Sequence, residues 1–336
     1  MSAGTGIEWT DRTWNPVRGC SRVSEGCRNC YAERFAQRFV GGCMDGFVAS
    51  SRWTGKVALV PEKLAEPLSW RKPSRVFVNS MSDLFHEGLA DADIDRVFAV
   101  MAIAEQHTFQ VLTKRPERMR AYMNRLARAG HLAQPLFDAI AKDGRRPPGR
   151  FVWPMPNVWL GVSVEDQASA DERIPHLLAT PAAVRFLSCE PLIGPVRLAT
   201  PEVGDRPPTG KPLANASEWD DWKYWATRDN GVRWVIIGGE SGPGARPCDV
   251  EWIRSLVAQC KAAGVACFVK QLGASPFAKP STIQGKIDFL KSAQSAGINL
   301  AVDVDGAHLI LRDRKGGDPS EWPEDLRVRE FPEPRP

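Results

Sequence analysis

Six short apolar runs recur along the chain, each followed by room for one helix. They are RVFVN (Arg75–Asn79), FQVL (Phe109–Leu112), VWLGV (Val158–Val162), VRFL (Val184–Leu187), WVII (Trp234–Ile237) and ACFV (Ala266–Val269). Rich in β-branched residues and nearly continuous, they read as strands buried on both faces of a parallel sheet. A further strand is expected within Ile7–Pro16. The stretches between the runs carry helical periodicity. Asp91–Gln106 sets Ile94, Val97, Phe98, Met101 and Ile103 on one broad face, with acidic residues in its first turn. Pro116–Ala129 opens with proline and carries Met119, Met123 and Leu126, and Gln167–Leu178 and Val250–Ala263 follow the same pattern. Strand–helix repeats of this kind imply right-handed crossovers. The predicted fold is α/β, a complete or partial (β/α) TIM-like barrel with mostly parallel strands, with an open doubly wound sheet as the alternative. Beyond it, Leu300–Val304, a turn at Asp305-Gly306 and His308–Arg312 predict a C-terminal hairpin. The domain reading is a barrel over 1–296, with insertions near 41–73, 130–156 and 201–231, and a hairpin and tail over 297–336 packed on it.

Polar residues fall where such a barrel uses them. Each run ends in a polar cluster: Asn79, Ser80, Ser82 and Asp83; Thr113, Lys114 and Arg115; Ser163, Glu165 and Asp166; Ser188 and Glu190; Gly238, Gly239, Glu240 and Ser241; Lys270 and Gln271. In a parallel barrel the C-terminal strand ends gather on one face, which carries the active site. A single cluster reads equally well as loop polarity or a helix cap, whereas six in register point to a common functional face.

The second strong feature is WNPVRGCSRVSEGCRNCYAERFAQR, Trp14 to Arg38. It spaces Cys20, Cys27 and Cys30 as C-x6-C-x2-C, followed by an amphipathic segment with Tyr31, Phe35 and Phe39. Three thiolates from one loop with no histidine nearby suit a [4Fe-4S] cluster whose fourth iron is left for another ligand. A structural zinc site takes four protein ligands, and Cys43 or Cys189 are the available fourth thiols. Burial as small apolar residues is the bland alternative, and it is the reading for Cys43, Cys260 and Cys267. An open iron binds the amino and carboxylate groups of S-adenosylmethionine, and the strand ends supply residues for the rest of that cofactor. Tyr31, Asn79, Ser80, Asp83, Ser188, Gly238, Gly239 and Glu240 are candidates for binding it. Lys114, Glu190 and Lys270 are candidate catalytic groups, with Arg115 beside Lys114 as a further anion contact. Gly-Gly after a strand is also a common turn, and Lys114-Arg115 also reads as a solvated helix start.

Composition bounds the rest. No apolar run is long enough to span a bilayer, and the first residues carry no apolar signal region. The expectation is a cytoplasmic protein with no membrane partner, whose eight cysteines stay reduced. The net charge of +4 permits contact with a phosphate backbone without requiring it.

The segments IEWTDRTWNPVRGCSRVSEGCRNCYAERFA, RVFVNSMSDLFHE, FQVLTKRPERM, VWLGVSVEDQ, FLSCEPLIGPV, VIIGGESGPGARPCD, FVKQLG and DRKGGDPSEWPEDLRVREFP resemble the phage-associated three-cysteine-motif family, a domain of unknown function, over nearly the whole chain. That family is similar in layout to the radical S-adenosylmethionine superfamily. The resemblance implies a partial barrel, a [4Fe-4S] cluster and S-adenosylmethionine as cofactor. Here the first cysteine gap is six residues rather than three. Asn29 stands before the last cysteine where the superfamily has an aromatic residue. The GGE motif follows a strand four later than the usual second. The carry-over falls on Cys20, Cys27 and Cys30 for the cluster and on Gly238–Glu240 for the GGE motif, with Asn79–Asp83 in the place of the early motif. The expected activity is generation of a 5′-deoxyadenosyl radical for work on a nucleic acid or nucleotide, with a flavodoxin- or ferredoxin-like reductant and room for a partner protein. The alternatives are a zinc-containing nucleic-acid-binding protein and an iron–sulfur sensor without catalysis.

Overall fold

In the computed structural model, residues 5–129, 153–198, 231–279, 291, 294, 297–302 and 306–333 are described. The basic GRRPPGR stretch and nearly all of 201–231 lie outside them. The principal sheet has seven strands: β1 (Arg12–Trp14), β2 (Arg75–Val78), β3 (Thr108–Thr113), β4 (Val158–Ser163), β5 (Val184–Cys189), β6 (Val232–Gly238) and β7 (Ala266–Gln271). Their order in the sheet is their order in the chain. The registered pairings β1–β2, β2–β3, β3–β4 and β6–β7 are all parallel. A doubly wound sheet reverses direction at its switch point. This one never reverses, so its topology is that of a partial (β/α) barrel. The helices are α1 (Tyr31–Ala36), α2 (Asp91–Ile103), α3 (Pro116–Ala129), α4 (Gln167–Leu178) and α5 (Val250–Ala263). Helix α2 stops three residues short of the expected end, where Ala104 leaves the helical region and its N–H closes the last turn on the Val100 carbonyl. Among the described residues no helix is long and apolar enough to cross a membrane.

The chain forms two compact units. The first comprises Met1–Val162 and His176–Phe186. Its core contains Trp14, Val76, Val78, Phe98, Met101, Phe109, Val111 and Met119, all essentially without exposed surface. The Trp14 indole donates to the Lys63 carbonyl at 2.8 Å, which satisfies its one polar atom. Gly161 in β4 is required by packing, because a Cβ there would lie 2.5 Å from the Phe186 ring.

The second unit comprises Ser163–Pro175 and Leu187–Pro336. Helix α5 is capped by Asp249, whose carboxylate accepts the Glu251 N–H, and it ends on left-handed Gly264. The expected C-terminal hairpin is present, Asn299–Val302 pairing antiparallel with Ala307–Ile310. A four-stranded sheet takes it up through Pro276–Ala278. The tail packs back on β7, with the Val269 N–H donating to Val328 and the Glu330 N–H to Cys267.

Candidate active site

In the first unit the chain leaving β1 is zipped to the chain leaving β2. The Asn79 N–H donates to the Trp14 carbonyl at 2.7 Å. Asn15 Oδ1 accepts from Ser80 Oγ (3.1 Å) and from the Met81 N–H (3.0 Å). Ser82 Oγ donates to the Val17 carbonyl at 3.0 Å, and Gly19 pairs with Ser82 in a parallel bridge. Gly19 sits at φ +85, and a Cβ on it would lie 2.0 Å from the Lys56 carbonyl. The cysteine loop therefore leaves β1 along a path that only glycine takes at this position.

The end of β3 is bound to the same place through Asp83. Its Oδ1 accepts from the Phe85 N–H (3.0 Å) and from Thr113 Oγ1 (2.7 Å). Its Oδ2 accepts from the Lys114 N–H (3.0 Å) and from Arg115 Nη1 (3.1 Å). Arg115 continues the network. Its Nε donates to both Glu87 oxygens, and its Nη2 donates to Ser21 Oγ (2.7 Å) and to the Ser21 carbonyl (3.2 Å). Its Nη1 lies 4.0 Å from Cys20 Sγ. His86 completes the group, with Nε2 2.8 Å from Ser21 Oγ and Nδ1 accepting the Gly88 N–H. The first three strand-end clusters are thus joined in one hydrogen-bonded network that carries the cysteine loop. Arg115, expected to meet an anionic ligand, ties the loop to Asp83.

His86 makes that network pH-sensitive. Burial, reinforced by the Arg115 charge, holds its imidazolium below the ordinary value of 6.5. The neutral ring therefore stabilises the fold fully above that value, and the contribution is lost as pH falls through the lowered one. We expect the urea midpoint of the wild type to fall between about pH 7.5 and about pH 5.5 more steeply than that of His86→Gln. Equal slopes would show that another group governs the acid limb.

Cys20, Cys27 and Cys30 are all free thiols, half-buried on the loop. They are near enough to act on one another: burial pushes Cys20 up to about 12, with Asp83 next and with Cys30 and Cys27 adding to the rise. Cys30 is raised by burial and by Cys27. Among the described residues, no group of three or more His, Cys, Asp or Glu side chains stands converged as a metal cage. Seating one cluster on the three sulfurs requires their side chains to turn to a common point and to release protons. By donor chemistry the set fits a [4Fe-4S] cluster with one open iron: three reduced, unpaired thiols from one anchored loop.

Asn79 is the other unusual residue. It follows β2 in the left-handed region at φ +59 and is 3% exposed. Among the described residues, neither atom of its side-chain amide has a hydrogen-bond partner. The backbone strain costs about 1–3 kcal/mol, and each unsatisfied polar atom about as much again. Tyr31 lies close by in the same unit, its hydroxyl donating to the Ser80 carbonyl at 2.7 Å.

The second unit gathers the other expected residues. Lys270 is ion-paired with Glu190. Gln271 Nε2 bridges Glu190 Oε1 (3.4 Å) and the Gly239 carbonyl (2.8 Å). Gly238 stands over this pair, its Cβ position 3.5 Å from the Glu190 carboxyl carbon. Gly239 has a packing reason of its own, since a Cβ would lie 2.2 Å from the Leu272 carbonyl. Glu240 is buried and holds Arg246 through both carboxylate oxygens, at 2.7 and 3.1 Å. Ser188 is buried, and its carbonyl accepts the Val164 N–H. Cys189 is fully buried beside Cys267, and burial drives its thiol far up, which fits a core thiol rather than a reactive one.

Sequence reasoning passed over Ser21, His86 and Glu87, and Arg173, the buried partner of Glu165 in the second unit. Only the acidic and basic letters near strand ends signalled them; which pairs form depends on chain paths set by Gly19 and by the turn at Asn79.

A sequentially wound α/β sheet with a three-cysteine loop after its first strand defines the class of protein. The chain belongs to the family described as "Protein of unknown function (DUF5131)", whose model matches residues 4–300. No curated protein and no solved structure matches it.

Proposed function

We propose that the protein is a radical S-adenosylmethionine-type enzyme, of the phage-associated three-cysteine branch of that superfamily. The observation that carries this reading is the set of three reduced thiols on one loop, which Arg115, Ser21 and Asp83 fasten to the ends of β2 and β3. When bound, a [4Fe-4S] cluster supplies the electron that cleaves a sulfur–carbon bond of S-adenosylmethionine and yields a 5′-deoxyadenosyl radical. Cys20, Cys27 and Cys30 would hold the cluster and leave one iron without a protein ligand. The Asn79 amide offers a donor and an acceptor in a buried position, matched to the cofactor's amino and carboxylate groups. Arg115 lies 4.0 Å from the Cys20 sulfur and offsets part of the rise that burial and Asp83 impose on that thiol. A flavodoxin- or ferredoxin-like protein is the reductant this chemistry needs.

Anaerobically reconstituted protein, reduced in the presence of S-adenosylmethionine, is expected to release 5′-deoxyadenosine. An intact cluster that releases none contradicts the reading. Asn79→Gly separates fold from cofactor: glycine relieves the positive φ and removes the orphaned amide. We expect its thermal midpoint to equal or exceed that of the wild type, while calorimetric affinity for S-adenosylmethionine falls about tenfold or more. A variant that loses stability and keeps affinity would assign Asn79 to the fold.

A further inference from the structure

Helix α1 is built inside out. It buries Ala32, Glu33 and Ala36 and turns Tyr31 and Phe35 to solvent, 51% and 44% exposed, with Phe39 just beyond it at 40%. These aromatics recur every four residues, so they share one face. The cause is on the inner face. Buried Glu33 is ion-paired with Arg22 of the cysteine loop and accepts the Trp53 N–H at 2.6 Å, which fixes the helix's rotation. Ala36 then packs with Met44 and Val48. Val40, which follows Phe39 in the chain, is 54% exposed. Among the described residues, eight large hydrophobic side chains are exposed, and five of them fall between Val23 and Val40 in the chain. Such concentration is what marks an interaction surface.

Its charge identifies the occupant. Between Trp14 and Arg38 stand five arginines and two glutamates, a net +3 of the whole chain's +4. One of the two glutamates is the buried Glu33. Arg38 lies over the Phe35 ring at 5.6 Å, and Phe35 and Phe39 meet edge-on at 5.3 Å. Among the described residues, neither Arg28 nor Arg38 has a carboxylate partner. Exposed aromatic rings interleaved with guanidiniums that have no carboxylate partner among the described residues fit a polyanion with flat faces. We propose that this face, Arg28, Tyr31, Phe35, Arg38 and Phe39, is a platform for single-stranded nucleic acid, with bases stacked on the rings and phosphates on the arginines. A duplex keeps its base faces stacked inside, so the rings select the single strand. Arg28 and Tyr31 stand on either side of Cys30 in the chain, so the proposal rests on and deepens the function above by naming the substrate class, although its binding step does not depend on a cluster.

The test is fluorescence anisotropy of a 5′-labelled oligothymidylate of about 20 nucleotides, with the full-length protein and no reductant or S-adenosylmethionine. Wild type is expected to bind the single strand more tightly than a duplex of the same length. Phe35→Ala and Phe39→Ala should each weaken binding about tenfold. Arg28→Gln and Arg38→Gln should each lower the slope of log affinity against log salt by about 0.7. These side chains are exposed, so unchanged urea midpoints are expected, and iron content measured alongside separates platform loss from loop loss. Failure of wild type to bind the single strand, or aromatic variants that bind as wild type does, overturns the proposal. So does a finding that the same variants abolish self-association or capture of an acidic protein while leaving oligonucleotide binding intact. Release of 5′-deoxyadenosine is scored in a separate assay, so either reading can fail without the other.

Discussion

Asp83→Ala is expected to destabilise the first unit by about 3–5 kcal/mol, the range for removing one partner of a buried ion pair. Asp83 and Arg115 are both nearly inaccessible. The substitution leaves the Arg115 guanidinium facing Glu87 alone on its acidic side and strips the Phe85 and Lys114 N–H groups and the Thr113 hydroxyl of their acceptor. Asp83→Asn should cost less, since the amide oxygen still accepts from two of these donors, but its NH2 then meets Arg115 or a backbone N–H. Urea denaturation of the three proteins measures the order wild type, Asn, Ala. A loss under about 1 kcal/mol for Asp83→Ala would place the network outside the fold's stability. Asp83 is bonded to Arg115, which is bonded in turn to Ser21 of the cysteine loop.

The second large effect is chemical. Cys27→Ala, and equally Cys20→Ala or Cys30→Ala, is expected to reduce iron after anaerobic reconstitution from about four per chain to a small residue. Two thiolates do not hold a cubane that needs three protein ligands and one exchangeable site. The secondary structure should survive, because the thiols make few bonds in the fold: Cys20 Sγ contacts the Ser21 carbonyl at 3.4 Å and Cys27 Sγ lies 4.0 Å from Ser24 Oγ. Cys43→Ala, an exposed position, should retain full iron. Equal iron in Cys27→Ala and wild type would remove the three cysteines from any cluster. One zinc per chain in the wild type, lost in the variants, would favour the zinc-binding alternative.

The fold was largely legible because buried parallel strands write themselves as apolar runs. The runs at Arg75, Val158, Val184 and Ala266 began at the residues where the strands begin, and helices Pro116–Ala129 and Val250–Ala263 matched end to end. The side-chain partnerships were not legible. Sequence spacing says that Glu190 and Lys270 each end a strand, but their ion pair depends on β5 and β7 bringing residues 80 apart into contact. Glu240 and Gly239 read as ligand groups from the GGE motif; Glu240 pairs with Arg246 six residues on, while Gly239 leaves no room for a Cβ beside the Leu272 carbonyl, a proximity set by the long-range pairing of β6 and β7. Helix α1 was legible as an amphipathic segment but its rotation was not: a single buried glutamate with two partners turns the aromatic stripe outward. Asn79 was legible as a cofactor-binding candidate after a strand; its positive φ and unpartnered amide exist only in three dimensions.

The most direct test of the central claim is electron paramagnetic resonance of the anaerobically purified, reduced protein with and without S-adenosylmethionine, alongside an iron and sulfide count. The expected result is a [4Fe-4S] signal that changes on adding the cofactor, because a cluster held by these three cysteines would leave one iron without a protein ligand. A cluster signal indifferent to the cofactor, or zinc in place of iron, would contradict it.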